Sequence, residues 1–369
     1  MSGQVGSPDS VYGSVSRALR MYKRSIAATN ALFLTPQKVT YTISKSPEAY
    51  RPSLGSAVLG LWRVCCRCIP QSIREFRMVR YITTLERLGK DVTWLILQQA
   101  RGIPEAKVID DFMVDRTIVQ MFAKADLSER LCITAAVRQM SGHCVYFAPE
   151  DKWEGAIERF PMQLLGAVSY YMDGMFVHGV PVRSWVPENE VTFPVINCGS
   201  PDAHPAHVIA DIICMLNLSH DDLRNVQVAW VGSPSGALHS LVTATRYFPF
   251  RLSIAIPPIV DTQSLRSFVQ EVGLGVTFCD SPQEAVKDAQ YIYIGSRNQL
   301  DFQSIQKWAV QPNLLSFAAP ECYILLGTNP MDCLPFEPSI LNGRRSLLLK
   351  QAENRLRVYK RMLHWVYDM

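Results

Sequence analysis

Residues 225–232, Asn225-Val226-Gln227-Val228-Ala229-Trp230-Val231-Gly232, form an almost unbroken apolar run that stops at a glycine, with a helical stretch behind it over residues 237–245. Strands covered on both faces of a parallel sheet read as continuous apolar runs of this kind, not as alternating ones. The unit repeats along the chain. Residues 252–256 read as a strand, 262–272 as a helix, 276–279 as a strand, and 291–294 and 323–326 as two more strands. Strands alternating with helices imply βαβ units, a parallel sheet and right-handed crossovers.

Toward the N-terminus the same alternation returns. Ile82, Leu85, Leu88, Val92, Leu95 and Leu97 recur mostly at helical spacings. Strands are expected over residues 118–122, 145–148, 175–178 and 195–197, with helices over 130–140 and 162–171 and a long connecting helix over 207–216. A closing helix over 345–367 is rich in Lys and Arg. The reading is α/β: two doubly wound, Rossmann-like parallel-sheet domains over residues 81–216 and 217–344. A helix over 345–369 packs back on the first domain, and a basic extension over 1–80 precedes it.

The 369-residue chain is 48% hydrophobic and 19% charged, which excludes wholesale disorder. A membrane span is not expected, because the longest apolar stretch, residues 54–62, is closed by Arg63 and Arg67. The net charge of +4 is small, but residues 1–80 carry twelve Lys/Arg against Asp9, Glu48 and Glu75. An acid-poor, Arg- and Ser-bearing start reads as a mitochondrial (matrix) targeting segment, with a solvated basic tail as the plain alternative. Tyr, Phe and Trp interleave with the charge, which suits contact with RNA or an acidic protein.

The ten cysteines are scattered and no disulfide framework is expected. Cys65-Cys66-Arg67-Cys68 is too tight for a zinc pair, and His204 with His207 lacks a third ligand nearby, so no metal is assigned. Gly232-x-x-x-Gly236 has neither dinucleotide-fingerprint spacing nor a P-loop Lys. No cofactor is expected.

Several segments resemble the aspartate and ornithine carbamoyltransferases. Ala203-His204-Pro205-Ala206-His207-Val208-Ile209-Ala210-Asp211 is similar to the family's H-P-x-Q-x-L-x-D, and Met331-Asp332-Cys333-Leu334-Pro335 to the M-H-C-L-P of the ornithine branch. Ala352-Glu353-Asn354-Arg355-Leu356 resembles the closing E-N-R-L helix, and Phe122-Ala123-Lys124, Pro149-Glu150-Asp151 and Asp173-Gly174 fall in register. The resemblance covers residues 81–369. It implies a carbamoyl-phosphate domain, an amino-acid domain and a trimer with sites between subunits.

The family motif S-T-R-T-R, which holds the phosphate, corresponds here to Asp126-Leu127-Ser128-Glu129-Arg130. Only Arg130 survives, and Ser128 stands where the central Arg belongs. Two carboxylates face the place of a phosphate dianion, and each like-charge contact at 4 Å costs about 4 kcal/mol at an effective dielectric near 20. Asp126 suits an N-cap. His178 replaces an Arg, His207 a Gln and Asp332 a His. The resemblance leaves His204, Cys333 and Arg355 as vestigial catalytic positions and Ser128, Arg130, His178 and His207 as degenerate substrate positions. Arg355 can also pair with carboxylates along its own helix.

The expectation is a carbamoyltransferase-like protein that has lost catalysis and serves a structural or assembly role in a mitochondrial complex, as a homotrimer or as a subunit. The alternatives are an active ornithine carbamoyltransferase, which makes citrulline and phosphate from carbamoyl phosphate and ornithine, and a transferase whose Asp126 and Glu129 receive a cationic ligand.

Overall fold

The computed structural model describes residues 80–103, 109–151, 161–182 and 192–368. The expectations for the basic extension and its cysteines therefore lie outside the described residues.

Two five-stranded, all-parallel sheets carry the fold. The first has the order β1-β5-β4-β2-β3, formed by β1 (Tyr81–Ile82), β2 (Thr117–Phe122), β3 (His143–Phe147), β4 (Gly174–His178) and β5 (Val195–Asn197). The second has the order β10-β9-β6-β7-β8, formed by β6 (Gln227–Val231), β7 (Arg251–Ala255), β8 (Val276–Cys279), β9 (Tyr291–Ile294) and β10 (Tyr323–Leu326). The apolar run that announced the second sheet is one of its inner strands: Val228 is in register with Leu252 on one side and Tyr291 on the other. This is the doubly wound α/β architecture expected from the alternation.

Helices α1 (Leu85–Arg101), α2 (Leu127–Gln139) and α3 (Pro161–Tyr171) belong to the first half, and α4 (Pro205–Leu218) leads out of it. α5 (Gly236–Ala244), α6 (Gln263–Val272), α7 (Pro282–Val286), α8 (Phe302–Trp308) and α9 (Pro338–Asn342) belong to the second, before the closing α10 (Leu348–Tyr367). α2 begins at Leu127, a turn earlier than its apolar spacing suggests, because the Asp126 side chain accepts from the Glu129 N–H at 3.0 Å and caps it. α7, α8 and α9 are too short to leave a period in the sequence.

Residues 205–216 of α4 are all buried, as an apolar helix in the interior of a chain should be. α10 packs on α4, α1 and α2. One apolar cluster therefore runs from Phe176 of β4 through Ile209 and Tyr359 to Trp230 of β6 and Leu252 of β7. The two sheets share a core, and this fixes how their strand ends face each other. No described helix is long and apolar enough to cross a membrane.

Candidate functional site

A cleft of about 370 Å³ lies where the carboxyl ends of the two sheets meet. This is where open parallel α/β sheets place ligands, since the chain leaves each strand there in a loop. β4 delivers His178 and Gly179, the turn after β5 delivers Gly199 and Ser200, and the N-terminus of α4 delivers His204. The second sheet contributes Ser233 after β6, Asn298 after β9, and Asn329 and Asp332 after β10. Gly199 is required where it stands. Its φ is +125°, and a Cβ would lie 2.9 Å from the His178 ring and 3.3 Å from that of His204.

The centre of the cleft is an anion that the chain supplies itself. Glu129, in the first turn of α2, is 1% exposed. Its Oε1 accepts from Arg355 Nη1 of α10 at 2.5 Å and lies 3.3 Å from His204 Nε2, while Oε2 accepts from the Tyr359 hydroxyl at 2.7 Å. Burial alone would raise this carboxyl, but Arg355, His204 and Tyr359 together outweigh it and hold Glu129 well below the usual carboxylate range. Glu129 also raises Arg355 against the opposing effect of burial. The cations and donors an anionic ligand would need are thus already engaged.

A second ion pair joins the two halves in the cleft lining. Lys124 Nζ donates to Asp332 Oδ2 at 2.6 Å, and Asn329 Nδ2 donates both to that oxygen at 3.0 Å and to Asp126 Oδ2 at 3.1 Å. Lys124 and Asp126 come from the first half, Asn329 and Asp332 from the second.

The sequence-derived residues fall in different places. His204, Arg355, His178 and His207 line the cleft. His204 is the N-cap of α4 but makes no capping bond with its side chain, so the ring is free to reach Glu129. Its backbone N–H donates to Ser240 Oγ of α5 at 2.8 Å. His178 stacks on Phe122 at 4.7 Å, and burial lowers its pKa although Asp126, 3.9 Å away, opposes this. His207 belongs to a buried network: Nε2 lies 2.9 Å from the Leu326 carbonyl and 3.3 Å from Asp211 Oδ2. Burial, with Arg355 and His204, keeps its imidazole neutral, so Nε2–H donates to that carbonyl.

Ser128, Arg130 and Cys333 are not among the cleft residues. Ser128 and Arg130 are exposed on α2, and the Arg130 guanidinium sits 4.1 Å over the Tyr146 ring. Cys333 is 3% exposed in the core of the second sheet, its Sγ directed at the Ile294 and Thr328 carbonyls, and burial pushes the thiol up to about 12. Arg355 departs from the expectation that it pairs along its own helix. Glu353 is taken by Lys350 and Arg357, and Arg355 crosses to α2 instead.

Glu129 supplies the third donor that His204 and His207 lacked in the sequence, with ligand atoms of all three within 4.8 Å. The set does not fit a divalent ion. Both Glu129 oxygens are engaged, His207 Nε2 is committed to a carbonyl, and the Arg355 guanidinium would face the metal. Lys124 and Asn329 were missed as site residues, and Asp332 was read only as the replacement of a family His, because only the folded loops bring the three together.

Two parallel α/β sheets with a strand-end cleft between them, a capped α2 at its floor and a closing helix that returns Arg355 to it define the carbamoyltransferase fold. Residues 80–217 match the carbamoyl-P binding domain of aspartate/ornithine carbamoyltransferases, and residues 224–366 match their Asp/Orn binding domain. The chain belongs to the aspartate/ornithine carbamoyltransferase family. Among similar proteins, the ornithine carbamoyltransferase of Oleidesulfovibrio alaskensis is 25% identical over 308 residues, covering 79% of this chain and all of that one. The Archaeoglobus fulgidus ornithine carbamoyltransferase is 25% identical over 309 residues, covering 77% and 96%. The Thermus thermophilus ornithine carbamoyltransferase structure superposes with a TM-score of 0.68 at 21% identity, covering 78% of this chain and 98% of that one. A mitochondrial ornithine carbamoyltransferase from Coccidioides immitis gives 0.68 at 20% identity, covering 78% and 96%.

Proposed function

We propose that this chain is a carbamoyltransferase-fold protein that does not turn over carbamoyl phosphate and serves instead as a structural subunit in a mitochondrial assembly. The observation that carries the reading is the Glu129 carboxylate seated on Arg355, His204 and Tyr359. A phosphate dianion entering the cleft meets Glu129 and Asp126, and the arginine that would receive it is already neutralised. At an effective dielectric near 20 a like-charge contact costs about 4 kcal/mol; Asp126 opposes the dianion without a cation of its own, and Lys124 is already paired with Asp332. Losing a single preorganised donor typically costs about 10²–10³ in rate, and here Ser128 and Arg130 lie outside the cleft altogether.

The basic, acid-poor start of the chain supports import into the mitochondrial matrix. Residues 1–80, with their interleaved aromatic side chains, would form the arm that contacts RNA or an acidic protein. The body would sit in the assembly as one subunit or as a homotrimer.

A working ornithine carbamoyltransferase is the second reading, favoured by His204 and Arg355 both standing in the cleft. Calorimetric titration with carbamoyl phosphate, then with a bisubstrate analogue of the ornithine reaction, separates the two, with citrulline formation assayed in parallel. No heat at millimolar ligand and no citrulline are the expected results. Micromolar binding, about −8 kcal/mol, would sink the structural reading.

A further inference from the structure

We infer that the cleft is a binding site for a small organic cation, an alkylammonium compound that carries no anionic group. It reverses the charge preference of a phosphate pocket.

The cleft is lined by four carboxylates, Asp126, Glu129, Asp261 and Asp332, against two permanent cations, Lys124 and Arg355. Each cation is spent on one of those carboxylates, Arg355 on Glu129 at 2.5 Å and Lys124 on Asp332 at 2.6 Å. Asp126 and Asp261 are left without a cation. The Asp126 side chain is only 9% exposed, and its donors are the Glu129 backbone N–H and the Asn329 amide, both neutral; His178 stands 3.9 Å away and burial favours its neutral form. A carboxylate so far out of water with only neutral donors gains most from a positive ligand. Asp261, on the loop after β7, is exposed at the rim.

An independent feature points to a ligand in the same cleft. Ser233, in the turn after β6, is 1% exposed and lines the cleft, yet its Oγ has no hydrogen-bond partner. A buried hydroxyl without a partner costs about 1–3 kcal/mol, and a polar ligand atom, an ammonium N–H among them, would satisfy it. Asn298 and Gln299 add side-chain amides to the lining. The volume of about 370 Å³ suits a small molecule.

The test uses the full-length protein and 1,3-diaminopropane as probe, titrated by calorimetry at low and moderate salt. Inorganic phosphate and carbamoyl phosphate serve as anionic counterparts. Saturable diamine binding is expected, weakening with salt, with neither phosphate bound. Asp126→Asn should weaken the diamine at least tenfold. Asn caps a helix as well as Asp does, so α2 stays formed, and a far-UV spectrum and thermal midpoint check this. Asp261→Asn, at an exposed position, should weaken it by a smaller factor. Absent diamine binding, or an affinity unchanged in Asp126→Asn, overturns the inference and leaves the structural reading standing. Binding of carbamoyl phosphate overturns the structural reading and is scored separately from the diamine result.

Discussion

Glu129 and Arg355 are 226 residues apart in the chain and joined by one hydrogen bond, Nη1 to Oε1 at 2.5 Å, at the floor of the cleft. The pair ties the first turn of α2 to the closing helix and fills the site's positive centre from within. It is also buried on both sides, with side-chain exposures of 2% for Glu129 and 13% for Arg355. Buried pairs of this kind add little net stability as pairs, yet breaking one by deleting a partner is expensive.

Glu129→Ala should therefore destabilise the protein by about 3–5 kcal/mol, since it strands the Arg355 guanidinium. Arg355→Met added to it should recover part of the loss in a double-mutant cycle. The same vacancy recreates an anion site, so inorganic phosphate should raise the unfolding midpoint of Glu129→Ala. At 100 times its Kd the gain is about 2.7 kcal/mol. The unsubstituted protein should not respond. Equal responses to phosphate in urea melts of the two proteins would contradict the account of Glu129 as a built-in ligand.

Cys333 should be inert. With its Sγ turned to the Ile294 and Thr328 carbonyls and its thiol pushed up to about 12 by burial, the thiolate is scarce at any ordinary pH. Mass-spectrometric mapping after iodoacetamide at pH 8 should find Cys333 unmodified in the native protein and modified in urea. Rapid native labelling would place the thiol at the cleft after all.

Much of the fold was legible because inner strands such as β4, β6 and β9 are covered almost throughout. Runs such as residues 226–231 and 291–294 have no polar alternation to confuse them with half-exposed strands. Asp126 was also legible as the cap of α2, and its side chain does accept from the Glu129 N–H. Where Glu129 goes was not, because Arg355 and Tyr359 reach it from the far end of the chain and leave no local spacing. The same holds for His207, whose ring is fixed by the Leu326 carbonyl 119 residues on. Cys333 misled for a different reason: its motif neighbours reach the cleft through Asp332, while the next side chain along the loop points the other way, into the second core.

Gly199→Ala should damage the site more than its size suggests. The residue has φ +125°, and its new Cβ would meet the His178 ring at 2.9 Å and the His204 ring at 3.3 Å. Backbone strain of about 1–3 kcal/mol then adds to the displacement of two imidazole rings, His178 stacked on Phe122 and His204 edge-on to His207. Gly275→Ala is the control, with φ +68° and nothing nearer than 3.9 Å. Thermal unfolding should show the larger loss at 199, and imidazole NMR signals of His178 and His204 should move only there.

Asp211 makes stability fall as pH rises. It is 0% exposed in the network with His207, Gln351 and Tyr293, accepting from Gln351 Nε2 at 2.9 Å and from the Tyr293 hydroxyl at 2.9 Å. Burial raises its carboxyl to about 7 against the lowering influence of Gln351, Arg355 and Tyr293. Between the ordinary value of 3.8 and about 7 the folded protein holds a proton that the unfolded chain has released. Stability from this group therefore declines across that window, by up to about 1.4 kcal/mol per pH unit, and levels off above it. Glu129 acts in the opposite sense: its folded carboxyl lies below 4.5, so its contribution is present above that pH and is lost on acidification. Asp211→Asn cannot ionise and should remove the decline between pH 5 and 7 while leaving the acid-side loss in place. Urea midpoints of the two proteins should therefore diverge as pH rises to 7 and run parallel beyond it; parallel midpoints from pH 5 upward would show that Asp211 is already charged in the folded state.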